Sequence, residues 1–150
     1  MKLETLFTVA STLVLAGWLG LLLAPSKYRL WRPLAIVVAL ALCMLYAGLI
    51  GAFWTSGEGD FGSLAGVAKL FEHPGLLLAG WVHYLAFDLL VGAWEREETH
   101  RIGLSRWLLA PCLALTFMFG PLGWLTFMAV RSFRLRTVER PGHGSQEIAA

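Results

Sequence analysis

Four stretches of this 150-residue chain run for about twenty residues with almost no charge, and no other feature constrains the fold as strongly. A hydrocarbon core ~30 Å thick takes ~20 helical residues to cross, and a helix can cross it because it satisfies its own backbone groups where no water is present. The stretches are residues 5–24, 34–54, 75–94 and 106–130. Only 15% of the residues are charged and 57% are hydrophobic, whereas soluble domains are about a quarter charged. The chain reads as an integral membrane protein of the all-α class. The expected domain is a bundle of four transmembrane helices over residues 1–131, followed by a basic, then polar tail, 132–150, read as disordered.

Charge and cysteine content remove other classes. A formal net charge of +2 without a basic stripe leaves no electrostatic footprint for nucleic acid. Cys43 and Cys112 both fall inside apolar runs, without the spacing of metal ligands or of a disulfide framework, and read as small buried hydrophobes. No metal site is expected. The first run is long, Glu4 stands among its first residues and no A-x-A pattern precedes Pro25, so it reads as a retained anchor and not a cleaved signal.

Punctuation refines the spans. Pro33 suits the first turn of the second helix, where its missing N–H is not needed. Pro111 and then Phe119-Gly120-Pro121-Leu122-Gly123 interrupt the fourth run, which predicts a helix kinked or broken near Gly120-Pro121. The connection 55–74 opens on Ser56-Gly57-Glu58-Gly59-Asp60 and continues with Leu64, Val67, Ala68, Leu70 and Phe71 at near-helical spacing, predicting a short amphipathic helix. Residues 95–105 mix charge signs and read as a connection. Gly17 with Gly20, Ala47 with Gly51, and Gly120 with Gly123 read as close-packing faces. Trp31, Trp54, Trp94 and Trp107 stand at span ends, as an aromatic belt would.

Lys and Arg set orientation. With four crossings, Lys2, Lys69 and the four tail arginines balance Lys27, Arg29, Arg32, Arg96, Arg101 and Arg106. Taken span by span, the first three helices favour the first and third loops as the cytoplasmic ones. The expectation is both termini on the non-cytoplasmic side of a bacterial inner membrane.

Apart from Arg106 at the edge of the fourth, the third run alone carries charged or imidazole side chains, His83 and Asp88. A carboxylate near mid-bilayer costs roughly 2.5–3.5 kcal/mol by insertion scales, so Asp88 is expected to face the bundle interior. At about 100° per residue, Asp88 shares a face with Tyr84, Val91 and Glu95, while His83 lies roughly 140° away beside Phe87, Leu90 and Trp94. Either the third helix is buried on a wide arc, or Asp88 and Tyr84 line a pocket while His83 bonds a neighbouring helix. A purely structural role would be an interhelical clamp to Thr116, Tyr46 or a carbonyl freed at Pro121. Such bonds average only ~0.6 kcal/mol, a weak reason to bury an acid. His83 is the single histidine at depth, so haem is not expected, nor is any other cofactor.

The segment Trp81-Val82-His83-Tyr84-Leu85-Ala86-Phe87-Asp88-Leu89-Leu90-Val91-Gly92, with Pro111-Cys112-Leu113-Ala114-Leu115-Thr116-Phe117 and the later Gly120-Pro121-Leu122-Gly123, resembles the neoxanthin-synthase-like (abscisic-acid-deficient-four-like) family of small polytopic membrane proteins. Its plant members act in forming neoxanthin. The resemblance implies a carotenoid or related isoprenoid substrate and carries His83 and Asp88 across as the polar residues of the family pattern. Converting an epoxide end group to an allenic alcohol is a redox-neutral isomerisation that needs one acid and one base. On that reading Asp88 is the acid, His83 the base and Tyr84 an orienting donor, with Trp81, Phe87, Thr116 and Gly120 lining the substrate. The competing reading is a non-catalytic lipid- or pigment-binding protein, a homo-oligomer, or an assembly partner of another membrane enzyme. Convergence of Asp88 and His83 on one cavity would favour chemistry.

Overall fold

The computed structural model describes residues 2–23 and 31–138. Lys27 and Arg29 of the first connection and most of the predicted tail lie outside them. Every regular element among the described residues is helical: α1 Leu3–Leu23, α2 Trp31–Phe53 extended by a 3₁₀ turn to Ser56, α3 Leu64–Glu72, α4 Pro74–Arg101, α5 Arg106–Phe119 and α6 Pro121–Val138. Three of these segments, Leu3–Leu23, Trp31–Ser56 and Pro74–Arg101, are long and apolar enough to cross a membrane.

Helix starts follow local chemistry. Ser63 caps α3 by accepting from the Gly66 N–H at 2.9 Å, and Ser105 caps α5 by accepting from the Trp107 N–H at 3.3 Å. α4 opens on Pro74, which lacks the N–H that a first turn leaves unbonded. It does not stop where the apolar run stops. The mixed-sign residues read as a connection continue the same helix to Arg101, with Glu98 and Arg101 paired across one turn. At ~1.5 Å per residue the helix is ~42 Å long, more than a ~30 Å core requires.

Contacts divide the chain into two compact units, residues 1–93 and 94–150. In the first, α1 packs on α2 and on the first part of α4. Gly17 lies against Leu89, and the Trp18 ring lies over Gly92, where a Cβ would come within 2.6 Å of the indole. Ala10, Val14, Leu42, Val82 and Leu89 fill the interior. Phe53 covers Gly75, and Phe71 of α3 covers Gly80. Ala47 and Gly51 were expected to mark a packing face as well, but space is open beside Gly51.

The second unit corrects the single fourth span. α5 and α6 are two helices that double back on each other. At one end the Arg134 guanidinium donates to the Gly103 carbonyl at 3.4 Å and Arg131 pairs with Glu98. At the other, the Gly123 backbone lies directly on Thr116. The cause is Gly120. Its φ of 44° is open to glycine and its N–H closes α5 on the Thr116 carbonyl at 2.8 Å, after which Pro121 restarts the chain as α6. α6 also runs through residues 132–138, which the sequence assigned to the tail.

Candidate functional site

Three side chains predicted as functional, Trp81, Tyr84 and Asp88, meet along one side of α4 in the first unit. Tyr84 stands one helical turn before Asp88, and its hydroxyl donates to the Asp88 carboxylate. The second oxygen, Asp88 Oδ2, is buried and accepts no hydrogen bond among the described residues. The Trp81 indole sits 5.6 Å from the Tyr84 ring and 5.9 Å from Phe7 of α1, and its Nε1–H donates to Ser11 Oγ at 3.4 Å. Contacts on two sides and a hydrogen bond from its edge fix this ring in place.

Trp81 and Leu77 together border two cavities. One, an open groove of about 340 Å³, is lined by Phe71, Leu77, Gly80, Trp81 and Tyr84. The other, of about 390 Å³, is walled by Phe7, Pro74, Leu77, Leu78 and Trp81, with Glu4 at its edge. Of the residues that line the first, Tyr84 and Trp81 alone have a polar side-chain atom, and the absence of a side chain at Gly80 makes room for the Phe71 ring. The chemistry available is that of a phenol hydrogen-bonded to a carboxyl group in an apolar wall. With Asp88 ionised, the phenol's one proton is held by the carboxylate and its oxygen can accept from a ligand. With Asp88 protonated and donating to the phenol oxygen, the Tyr84 O–H is free to donate to an oxygen-bearing ligand and the pair can pass a proton.

The other predicted residues do not gather there. His83 is exposed, its ring stacked on Phe87 at 4.6 Å and tilted against Tyr46 of α2 at 5.4 Å. Among the described residues His83 and Asp88 share no partner, as the 140° between them on a straight helix requires. Phe87 serves His83 and lines neither cavity around Trp81. Thr116 and Gly120 belong to the second unit. The Thr116 hydroxyl donates to Glu95 Oε1 at 2.9 Å, so the clamp considered for Asp88 is made by Glu95 instead. Gly120 terminates α5.

Sequence reasoning missed the buried polar turn that opens the second unit. Glu95 is wholly buried, and Arg96, Glu98 and Thr99 nearly so. Glu98 takes the Arg101 guanidinium through two bonds, at 2.6 and 2.7 Å, and the Arg131 Nε–H as well. Buried charge survives when paired and hydrogen-bonded in this way. The available signals were the three-residue spacing of Glu98 and Arg101 and the position of Glu95 on the Asp88 face of the helix.

No curated protein and no solved structure matches the chain. Residues 5–127, which contain the Trp81–Tyr84–Asp88 site, the buried turn and both halves of the hairpin as far as Phe127, match the family model described as ABA DEFICIENT 4-like, and the chain belongs to that family.

Proposed function

We propose that this membrane protein takes an oxygenated isoprenoid, of carotenoid type, from the bilayer and acts on its end group at Tyr84 and Asp88. One observation carries the reading: a phenol hydrogen-bonded to a carboxyl group stands in the wall of an otherwise apolar cavity on a helix long and apolar enough to cross a membrane. Membership in the ABA DEFICIENT 4-like family supports an isoprenoid of the kind from which abscisic acid derives.

In this reading Tyr84 touches the substrate oxygen. A protonated Asp88 resupplies the proton that Tyr84 gives up as the epoxide C–O bond opens. The Asp88 carboxylate so formed takes back, through Tyr84, the proton lost from the adjacent carbon, so the pair ends as it began and no oxidant or reductant is consumed. His83, the base implied by the family pattern, stacks on Phe87 and Tyr46 and shares no partner with Asp88. The reading therefore rests on the Tyr84–Asp88 pair. A bacterial inner membrane is the proposed location.

That separation of His83 from Asp88 favours a second reading, a protein that holds the isoprenoid without altering it, for its own use or for a partner enzyme. Expression in a host making several carotenoids separates the two. Chromatography and mass analysis of pigment from the cells and from protein purified in mild detergent should show a converted isomer that disappears in Asp88→Asn and falls strongly in Tyr84→Phe. Bound but unaltered pigment would establish the carrier. Neither binding nor conversion would refute both.

A further inference from the structure

We propose that α5 and α6 form a re-entrant hairpin, entering and leaving the membrane through one face and seated there on anionic lipid headgroups. The two ends of the hairpin differ in chemistry. Around the turn, Met118, Phe119, Leu122 and Leu125 are all exposed and all apolar. The turn also uses its backbone donors locally: Gly120 N–H bonds the Thr116 carbonyl, Gly123 and Trp124 N–H both bond the Gly120 carbonyl, and Pro121 has no N–H to satisfy. Irregular backbone enters hydrocarbon only on such terms. α5 has 14 residues, ~21 Å at ~1.5 Å each, too short for a ~30 Å core. The tip ends inside the bilayer.

The base is the opposite. Arg101, Arg106, Arg134 and Arg136 are exposed there beside two exposed aromatics, Trp107 at 88% and Phe133 at 69%. Arg134 reaches back to the Gly103 carbonyl, which fixes both helix ends at one level. Arginine with tryptophan is the composition of a headgroup belt, and each cation near an anionic surface is worth about 1 kcal/mol. If α1, α2 and α4 each cross once, chain alternation puts Lys27, Arg29 and Arg32 on this same face. Among the cations up to the end of α6, only Lys2 and Lys69 then fall on the other. The tie that four crossings produce is broken, and the expected orientation becomes amino terminus outside and the end of α6 in the cytoplasm, replacing the expectation of both termini outside.

The test uses the full chain with Cys43→Ala and Cys112→Ser, carrying single cysteines, in sealed right-side-out and inverted bacterial membrane vesicles with a membrane-impermeant maleimide. Ser105→Cys and Ser132→Cys should both label from the cytoplasmic face only, Ser56→Cys from the opposite face only, and Phe119→Cys from neither until detergent is added. Labelling of Ser105→Cys and Ser132→Cys from opposite faces, or of Phe119→Cys from the face opposite Ser105→Cys, would overturn the hairpin. For the lipid, the chain is reconstituted in phosphatidylcholine containing phosphatidylglycerol, with bromine on one lipid or the other. Brominated phosphatidylglycerol should quench tryptophan emission more than brominated phosphatidylcholine at equal mole fraction, and Trp107→Phe should abolish the difference. Equal quenching by the two lipids would overturn the anionic seat.

Discussion

Glu98 and Arg131 lie 33 residues apart in the chain, yet the Arg131 Nε–H donates to a Glu98 carboxylate that also holds Arg101. That one carboxylate ties the end of α4 to the return helix α6. Its side chain is 7% exposed, so little water competes for it. Glu98→Gln removes the charge and leaves two guanidinium groups without their anion. The expected cost is about 2 kcal/mol, the usual range for a hydrogen bond to a charged group. The exposed pair Lys69–Glu58 gives the contrast: Glu58→Gln should shift stability by about 0.5 kcal/mol or less. Unfolding of each variant in a mild detergent titrated with dodecyl sulfate checks both, and equal losses would show that the Glu98 contacts do not hold the hairpin.

Gly123→Ala should damage the same unit from its other end. A Cβ at Gly123 would fall on the Thr116 backbone and hydroxyl. Backbone cannot swing aside as a flexible side chain can, so the helices must part and the Thr116–Glu95 bond must stretch. A loss of about 1–3 kcal/mol is expected, typical of overpacking. Gly51→Ala, with open space around its Cβ, should be near neutral. Thermal unfolding in detergent of the two variants side by side gives the comparison.

Much of this was legible in the sequence and some was not, for physical reasons. The apolar runs located α1, α2 and α4; the Ser63 and Ser105 caps were not singled out from the sequence, though a hydroxyl at a helix start is what an unbonded N–H needs. The Tyr84–Asp88 contact follows from a four-residue spacing. The hairpin did not show, because hydropathy measures how apolar a run is and not whether the chain continues through the bilayer or turns back. Gly120-Pro121 marked the interruption, while the reversal depends on Arg131 and Arg134 finding Glu98 and Gly103. Residues 95–101 read as a connection because mixed charge suggests solvent; Thr116 of α5 and Arg131 of α6 hold the buried Glu95 and Glu98.

Gly80→Leu should separate cavity from fold in the first unit. A Cβ there would come within 2.8 Å of the Phe71 ring edge, which belongs to the short helix α3 and can move outward. The larger side chain would then occupy the space between Phe71, Trp81 and Tyr84. Retained pigment per mole of purified protein should fall at least severalfold while the unfolding midpoint changes little. Unchanged pigment content would place the ligand elsewhere.

His83→Ala set against Asp88→Asn decides which polar residue of α4 carries function. His83 is exposed and held only by ring contacts with Phe87 and Tyr46, so its removal should cost about 0.5 kcal/mol or less in stability, as exposed substitutions do. If the Tyr84–Asp88 pair is the working site, His83→Ala keeps pigment binding and conversion close to the parent level, and Asp88→Asn abolishes conversion because the amide cannot return a proton to Tyr84. Loss of conversion in His83→Ala with Asp88→Asn still active would move the site to the exposed face shared with Tyr46, and the substrate would then be met by α2 and α4 together on that face.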